Sequence, residues 1–138
     1  MAYCEAFMKE AILLSLAAKD EDEVPVGAVI VKDGAIIATG QNRREHTKNA
    51  LAHAEIMAID AACRALDDWR LSNCDLYVTL EPCPMCAGAI FMARIHNVYF
   101  GAYDKENGAF CQGMRVPLPA ARMTTLIVLF NIRVLTVI

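Results

Sequence analysis

Pro84 sits inside a Cys-x-x-Cys pair, Cys83-Pro84-Met85-Cys86, and it restricts what that stretch can become. Proline favours the first position of a helix, where its missing N–H would have had no partner in any case. Cys83 is then the residue that caps a helix. Cys86 stands three residues on, roughly 60° round the axis from it. Both sulfurs can face one point beyond the helix N-terminus, where partial positive charge lowers thiol pKa and favours the thiolate. Taken alone, such a pair is a redox couple, half of a structural metal site or half of a catalytic one.

The chain has 138 residues, 57% hydrophobic and 21% charged, which is enough for one globular domain with a real core. Its six cysteines, at positions 4, 63, 74, 83, 86 and 111, follow no secretion signal and do not read as a disulfide framework. Only Cys83 and Cys86 have ligand spacing. The other four are expected to be small buried apolar residues. The N-terminus lacks a basic and then apolar leader. The longest apolar run, Leu126 to Ile138, is broken by Asn131 and Arg133 and falls short of the ~18–20 residues that span a bilayer. A cytoplasmic protein without a membrane segment is expected. The net charge of −3 leaves no global basic footprint, so any contact with nucleic acid must use a local patch.

Tyr3, Phe7, Ala11, Leu14 and Ala18 recur at helical spacing, predicting an amphipathic helix over about 3–19. The acidic run Lys19 to Glu23 reads as a solvated turn. Two β-branched runs flank Lys32-Asp33-Gly34 and predict a hairpin. Asn42 to Leu51 reads as a polar loop. Ala52 to Leu66 is apolar on nearly every side and too long for a strand, which predicts a buried helix. A short strand over 75–80, an apolar helix over Pro84–Arg94 and a strand over 97–102 complete an α/β pattern with a mixed sheet.

Two thiolates do not complete a metal site, and the chain has three histidines, His46, His53 and His96. His53 opens the other apolar helix, with Glu55 two residues later. Residues so spaced diverge by roughly 200° round a helix. At its very N-terminus they can still converge on something just beyond it, because side chains tilt toward that end. Two helix starts meeting at one point would bring His53, Cys83 and Cys86 to one zinc ion, leaving the fourth tetrahedral position open, as in catalytic sites. Zinc in such a site lowers the pKa of its water to about 7. Glu55, near the metal but not on it, could take the water's proton and return it to a leaving amine, which is hydrolytic deamination. Each fragment alone is weak: a thiol redox pair or an ordinary core histidine would leave the same trace. Together, His-x-Glu and Pro-Cys-x-x-Cys form the known signature of zinc deaminases.

The stretches EVPVGAVIV, AHAEIMAI, WRL, LYVTLEPCPMCAGAI and VYFGAYD resemble the bacterial tRNA-specific adenosine deaminases of the cytidine deaminase-like superfamily, over about residues 3–108. The resemblance implies a three-layer α/β/α sandwich on a mixed sheet of about five strands. It also implies a homodimer with one zinc per subunit, and conversion of adenosine to inosine at the wobble position of a tRNA anticodon stem-loop. By matching position, His53, Cys83 and Cys86 would be zinc ligands and Glu55 the proton shuttle. Asn42, Ala54 and Asp104 would contact the substrate, Asn42 at the base and Asp104 beside the sugar. As alternatives, Asn42 is an ordinary loop residue and Asp104 a turn aspartate.

The chain departs from this pattern in two places. Ala50-Leu51 stands where the family usually shows Pro-Thr. After Gly108 the likeness stops, so residues 1–138 read as a single deaminase domain whose last part, 109–138, is an atypical tail. All 16 acidic residues lie at or before Glu106, and the tail carries three arginines and no acid. Either the reading frame is altered there, or the tail is a genuine variant whose apolar end adds a fifth strand. Competing functions are a free-base or nucleoside deaminase of guanine or cytosine type, and an inactive zinc-stabilised RNA-binding subunit. Retention of Glu55 argues against the latter.

Overall fold

The computed structural model describes residues 2–109 and, for the backbone, 126–128. Helix α1 (Glu5–Asp20) leads into a hairpin of β1 (Gly27–Lys32) and β2 (Ala35–Gln41). Its turn has positive φ at both Asp33 and Gly34, 50° and 77°, the twist a tight hairpin favours. A single turn, α2 (Arg44–Thr47), precedes α3 (Ala54–Leu66). Then come β3 (Cys74–Leu80), α4 (Pro84–Met92), β4 (Asn97–Ala102) and the three-residue β5 (Leu126–Val128). Sheet order is β2-β1-β3-β4-β5. The rest of the tail, Cys111 included, lies outside the described residues.

Alternation along β1 builds both layers. Ala28 and Ile30 face one side with Leu76, Val78 and Phe100, against Ala54, Ala58 and Ala62 of α3 and Ile90 of α4. Val29 and Val31 face the other side with Tyr77 and Tyr99, against Met8 and Ala11 of α1. The chain is thus a three-layer α/β/α sandwich. Each fully buried Val or Ile contributes about 1.5–3 kcal/mol. The helices sit close: a Cβ on Gly27 would strike α1 at the Ala11 carbonyl, and one on Gly40 would strike α3 at the Ala54 carbonyl.

Strand direction positions the site. β1 is antiparallel to both β2 and β3, so those two run the same way. β4 is parallel to β3. The helices that follow β2 and β3, and the loop that follows β4, therefore all start at one edge of the sheet, where the segment entering β1 also arrives.

Three local expectations change. Glu23, read as part of a solvated turn, is buried, because hydrogen bonds from the segment after β2 satisfy its carboxylate. The polar loop after β2 contains the turn α2. Of the cysteines expected to be buried, Cys74 is, whereas Cys4 and Cys63 are only partly covered. No helix among the described residues is long and apolar enough to cross a membrane.

Candidate active site

His53 is the cap residue of α3 and Cys83 the cap residue of α4, both with extended backbones (φ −78°, ψ 153° and φ −71°, ψ 170°). Pro84 opens α4, as its fixed φ predicts. Neither side chain makes a capping hydrogen bond. Cys86, one turn into α4, is fully buried. His53 Nδ1 lies 3.7 Å from Cys83 Sγ and 3.5 Å from Cys86 Sγ. Donor atoms of all three lie within 4.8 Å of one another. Tetrahedral zinc with Zn–S of about 2.3 Å and Zn–N of about 2.0–2.1 Å requires nitrogen–sulfur edges of about 3.6 Å. The donor set and its spacing therefore fit zinc.

The thiols divide one proton between them. The hydrogen bond from Cys86 brings Cys83 down to about 5 against the opposing effect of burial, helped by the N–H groups of Cys86 and Met85 at the helix start. The same bond, with burial, pushes the Cys86 thiol up.

Glu55 is the second residue of α3 and is 4% exposed. Burial pushes its pKa up, its own backbone N–H draws it down, and the Cys83 charge raises it again. Its carboxyl lies within hydrogen-bonding reach of Cys86. A buried carboxyl of raised pKa thus stands against the donor set.

A cavity of about 460 Å³ opens in front of these groups, in the size range of small-molecule sites. Asn42, His53, Ala54, Glu55, Cys83 and Asp104 line it, and Cys86 stands behind. Ala54 is the first residue of α3, where the backbone N–H has no preceding turn to bond. Asn42 is buried, and its Nδ2 donates to Glu23. Asp104 serves its own turn as well: Oδ1 accepts from the N–H groups of Glu106 and Asn107 at 3.0 and 2.9 Å.

Sequence reasoning missed Glu23 and Glu81. Glu81 is 2% exposed, lines the cavity and accepts from the Asp104 N–H at 3.0 Å, tying the loop after β4 to the segment before Cys83. For Glu23, burial acts to raise the pKa, but hydrogen bonds from the His46 N–H and ring and from the Glu45 N–H outweigh it and hold the carboxyl below its usual range. Neither glutamate carries a spacing signal. Their partners are set by where strands end.

Comparison with known proteins matches this geometry. The family described as the cytidine and deoxycytidylate deaminase zinc-binding region matches residues 1–102. The tRNA-specific adenosine deaminase of Bacillus subtilis (strain 168) is 51% identical over 113 residues, 82% of this chain and 69% of that protein. A solved tRNA:A34 deaminase, from work on A-to-I editing at the wobble position of transfer RNA, superposes with a TM-score of 0.76 at 50% identity, covering 77% of each chain. Guanine deaminase from Bacillus subtilis superposes with a TM-score of 0.71 at 46% identity, covering 74% of this chain and 66% of that one.

Proposed function

The chain belongs to the cytidine and deoxycytidylate deaminase family, and from that premise we propose that it is a zinc-dependent hydrolytic deaminase converting adenosine to inosine at the wobble position of a tRNA anticodon. The observation that carries this reading is the pairing of a three-donor metal set with a buried carboxyl at the mouth of a nucleoside-sized cavity. Identity of about half to proteins named for that reaction supports the substrate. His53, Cys83 and Cys86 would hold one zinc per subunit, and zinc supplies Lewis-acid activation of water at neutral pH.

Glu55 takes a proton from the attacking water and delivers it to the leaving nitrogen. The water's oxygen ends on C6 of the purine and ammonia departs. Burial raises the Glu55 pKa, which favours a carboxyl that both accepts and returns a proton. Asn42 and Asp104, on the cavity wall, orient the nucleotide, and the N–H of Ala54 offers a donor to the base. A base in an anticodon loop is already accessible, so drawing it into the cavity costs less than extrusion from a duplex. A homodimer fits the outer face of α4. Met85, Gly88, Ala89 and Met92 share one side, Met92 is 63% exposed, and space for a Cβ at Gly88 is open.

Likeness to a guanine deaminase keeps a free-base reading in play. Zinc-loaded protein incubated with an anticodon stem-loop bearing adenosine at the wobble position, and separately with guanine, cytosine and free nucleosides, separates the two. Inosine in the stem-loop is the expected product. Ammonia released only from free bases would replace this reading with the second.

A further inference from the structure

We propose that Glu23 is a positioning residue for substrate selection: its buried carboxylate holds the Asn42 amide in one of its two possible orientations. The inference rests on the proposed role of Asn42 at the base. Glu23 leaves the turn after α1, and its carboxylate bridges to the segment after β2. Oε1 accepts from the His46 N–H at 2.8 Å and lies 3.1 Å from His46 Nδ1. Oε2 accepts from Asn42 Nδ2 and from the Glu45 N–H, both at 3.3 Å. The carboxylate is 5% exposed as part of its residue, so these partners hold it in place of water.

An ionised carboxylate only accepts hydrogen bonds. It therefore faces the NH₂ of Asn42. The flipped amide would set carbonyl oxygen against carboxylate oxygen, two acceptors with no proton between them. Among the described residues no buried side-chain nitrogen or oxygen lacks a partner. The carbonyl oxygen of Asn42, which makes no hydrogen bond there, consequently opens onto the cavity that Asn42 lines. The substrate meets an acceptor at that point, and Glu23 is what makes it one. A bare structural strap would not need the asparagine, since the His46 and Glu45 contacts already pin the turn.

The test is a double-mutant cycle in the zinc-loaded, full-length protein. Glu23→Gln is isosteric but brings an NH₂ that can face either end of the amide, so both orientations become available. We expect it to keep its zinc, to melt lower because either end of the new amide sets an NH₂ against the N–H of Glu45 or of His46, and to lose about 10- to 100-fold in kcat/KM on the stem-loop when assayed well below that melt, chiefly through KM. On an Asn42→Ala background the same change should cost less than about threefold. Affinity for the stem-loop in a Glu55→Ala background, which needs no turnover, should follow the same pattern. Multiplying losses would overturn the proposal, as would a Glu23→Gln protein with wild-type KM. So would a His46→Ala protein that reproduces the whole loss, since that would place the effect in the turn. Glu23→Ala, which removes the acceptor altogether, runs through the same cycle if Glu23→Gln does not fold. Failure of both to fold would make Glu23 a folding residue and end the proposal. Wild-type protein inactive on adenosine in RNA would count against the proposed function alone, because the cycle can be run on whichever base is deaminated.

Discussion

A residue at a helix cap usually spends its side chain on the helix's own free N–H groups. His53 and Cys83 make no such capping hydrogen bond, although the N–H groups of Cys86 and Met85 lie near enough to the Cys83 sulfur to lower its pKa. Serine is a better cap than cysteine but a poor zinc ligand, so Cys83→Ser separates folding from chemistry. The variant is expected to keep the wild-type circular dichroism spectrum, bind well under one zinc per chain, and show no measurable deamination. Full zinc occupancy by metal analysis would remove Cys83 from the ligand set. Glu55→Gln makes the opposite split: zinc is retained while the deamination rate falls by about 10²- to 10⁴-fold, the usual worth of a positioned proton carrier. The placement of these residues at two helix starts was legible because a cap and the residues one turn on are local in sequence. Glu23 was not legible, because its partners lie 19 to 23 residues away and only the folded sheet edge brings them together. An acidic run has no local mark that distinguishes its one buried member from its solvated ones.

At the scale of elements, the site depends on how closely α3 lies on β2. A Cβ at Gly40 would meet the Ala54 carbonyl and sit 2.6 Å from the Ala58 nitrogen. Both obstacles are backbone, so the helix itself must move. Gly40→Ala should destabilise by about 1–3 kcal/mol, as overpacking does. It should also lower kcat/KM, because the shifted end of α3 carries His53, Ala54 and Glu55. Gly27→Ala is the control: its Cβ would meet the Ala11 carbonyl and lie 2.6 Å from the Ser15 nitrogen, in the opposite layer. It should melt at a similarly reduced temperature yet keep near wild-type kcat/KM when assayed well below that melt. Equal activity losses in the two variants would contradict this separation of layers. Element identity was largely readable, since the Asp33-Gly34 turn and the helical periodicities are local patterns. The placement of β1 between β2 and β3 was not, because apolar strands carry no label for their neighbours. That placement makes β2 and β3 co-directional and brings α3 and α4 to one edge.

For the whole molecule, two helix N-termini point their partial positive charges at the same spot, and the Cys83 thiol there has a lowered pKa. Zinc bound there joins α3 to α4 across a single layer and leaves α1 untouched. A ligand present at a thousand times its Kd stabilises the folded state by about 4 kcal/mol, less whatever the unfolded Cys and His residues bind. Chelation should therefore lower the melting temperature by several degrees, and returning zinc should restore it. Magnesium should not, because it prefers oxygen ligands in an octahedron. The loss should also be unevenly distributed. After chelation, amide exchange should quicken over residues 53–58 and 83–88, where His53, Cys83 and Cys86 anchor the helix starts, while α1 stays protected by its contacts with Val29, Val31 and Tyr77. Uniform loss of protection across all three layers would mean that the metal supports the fold as a whole. A melting temperature unmoved by proven removal of zinc would mean that Cys83 and the two helix ends are satisfied without it.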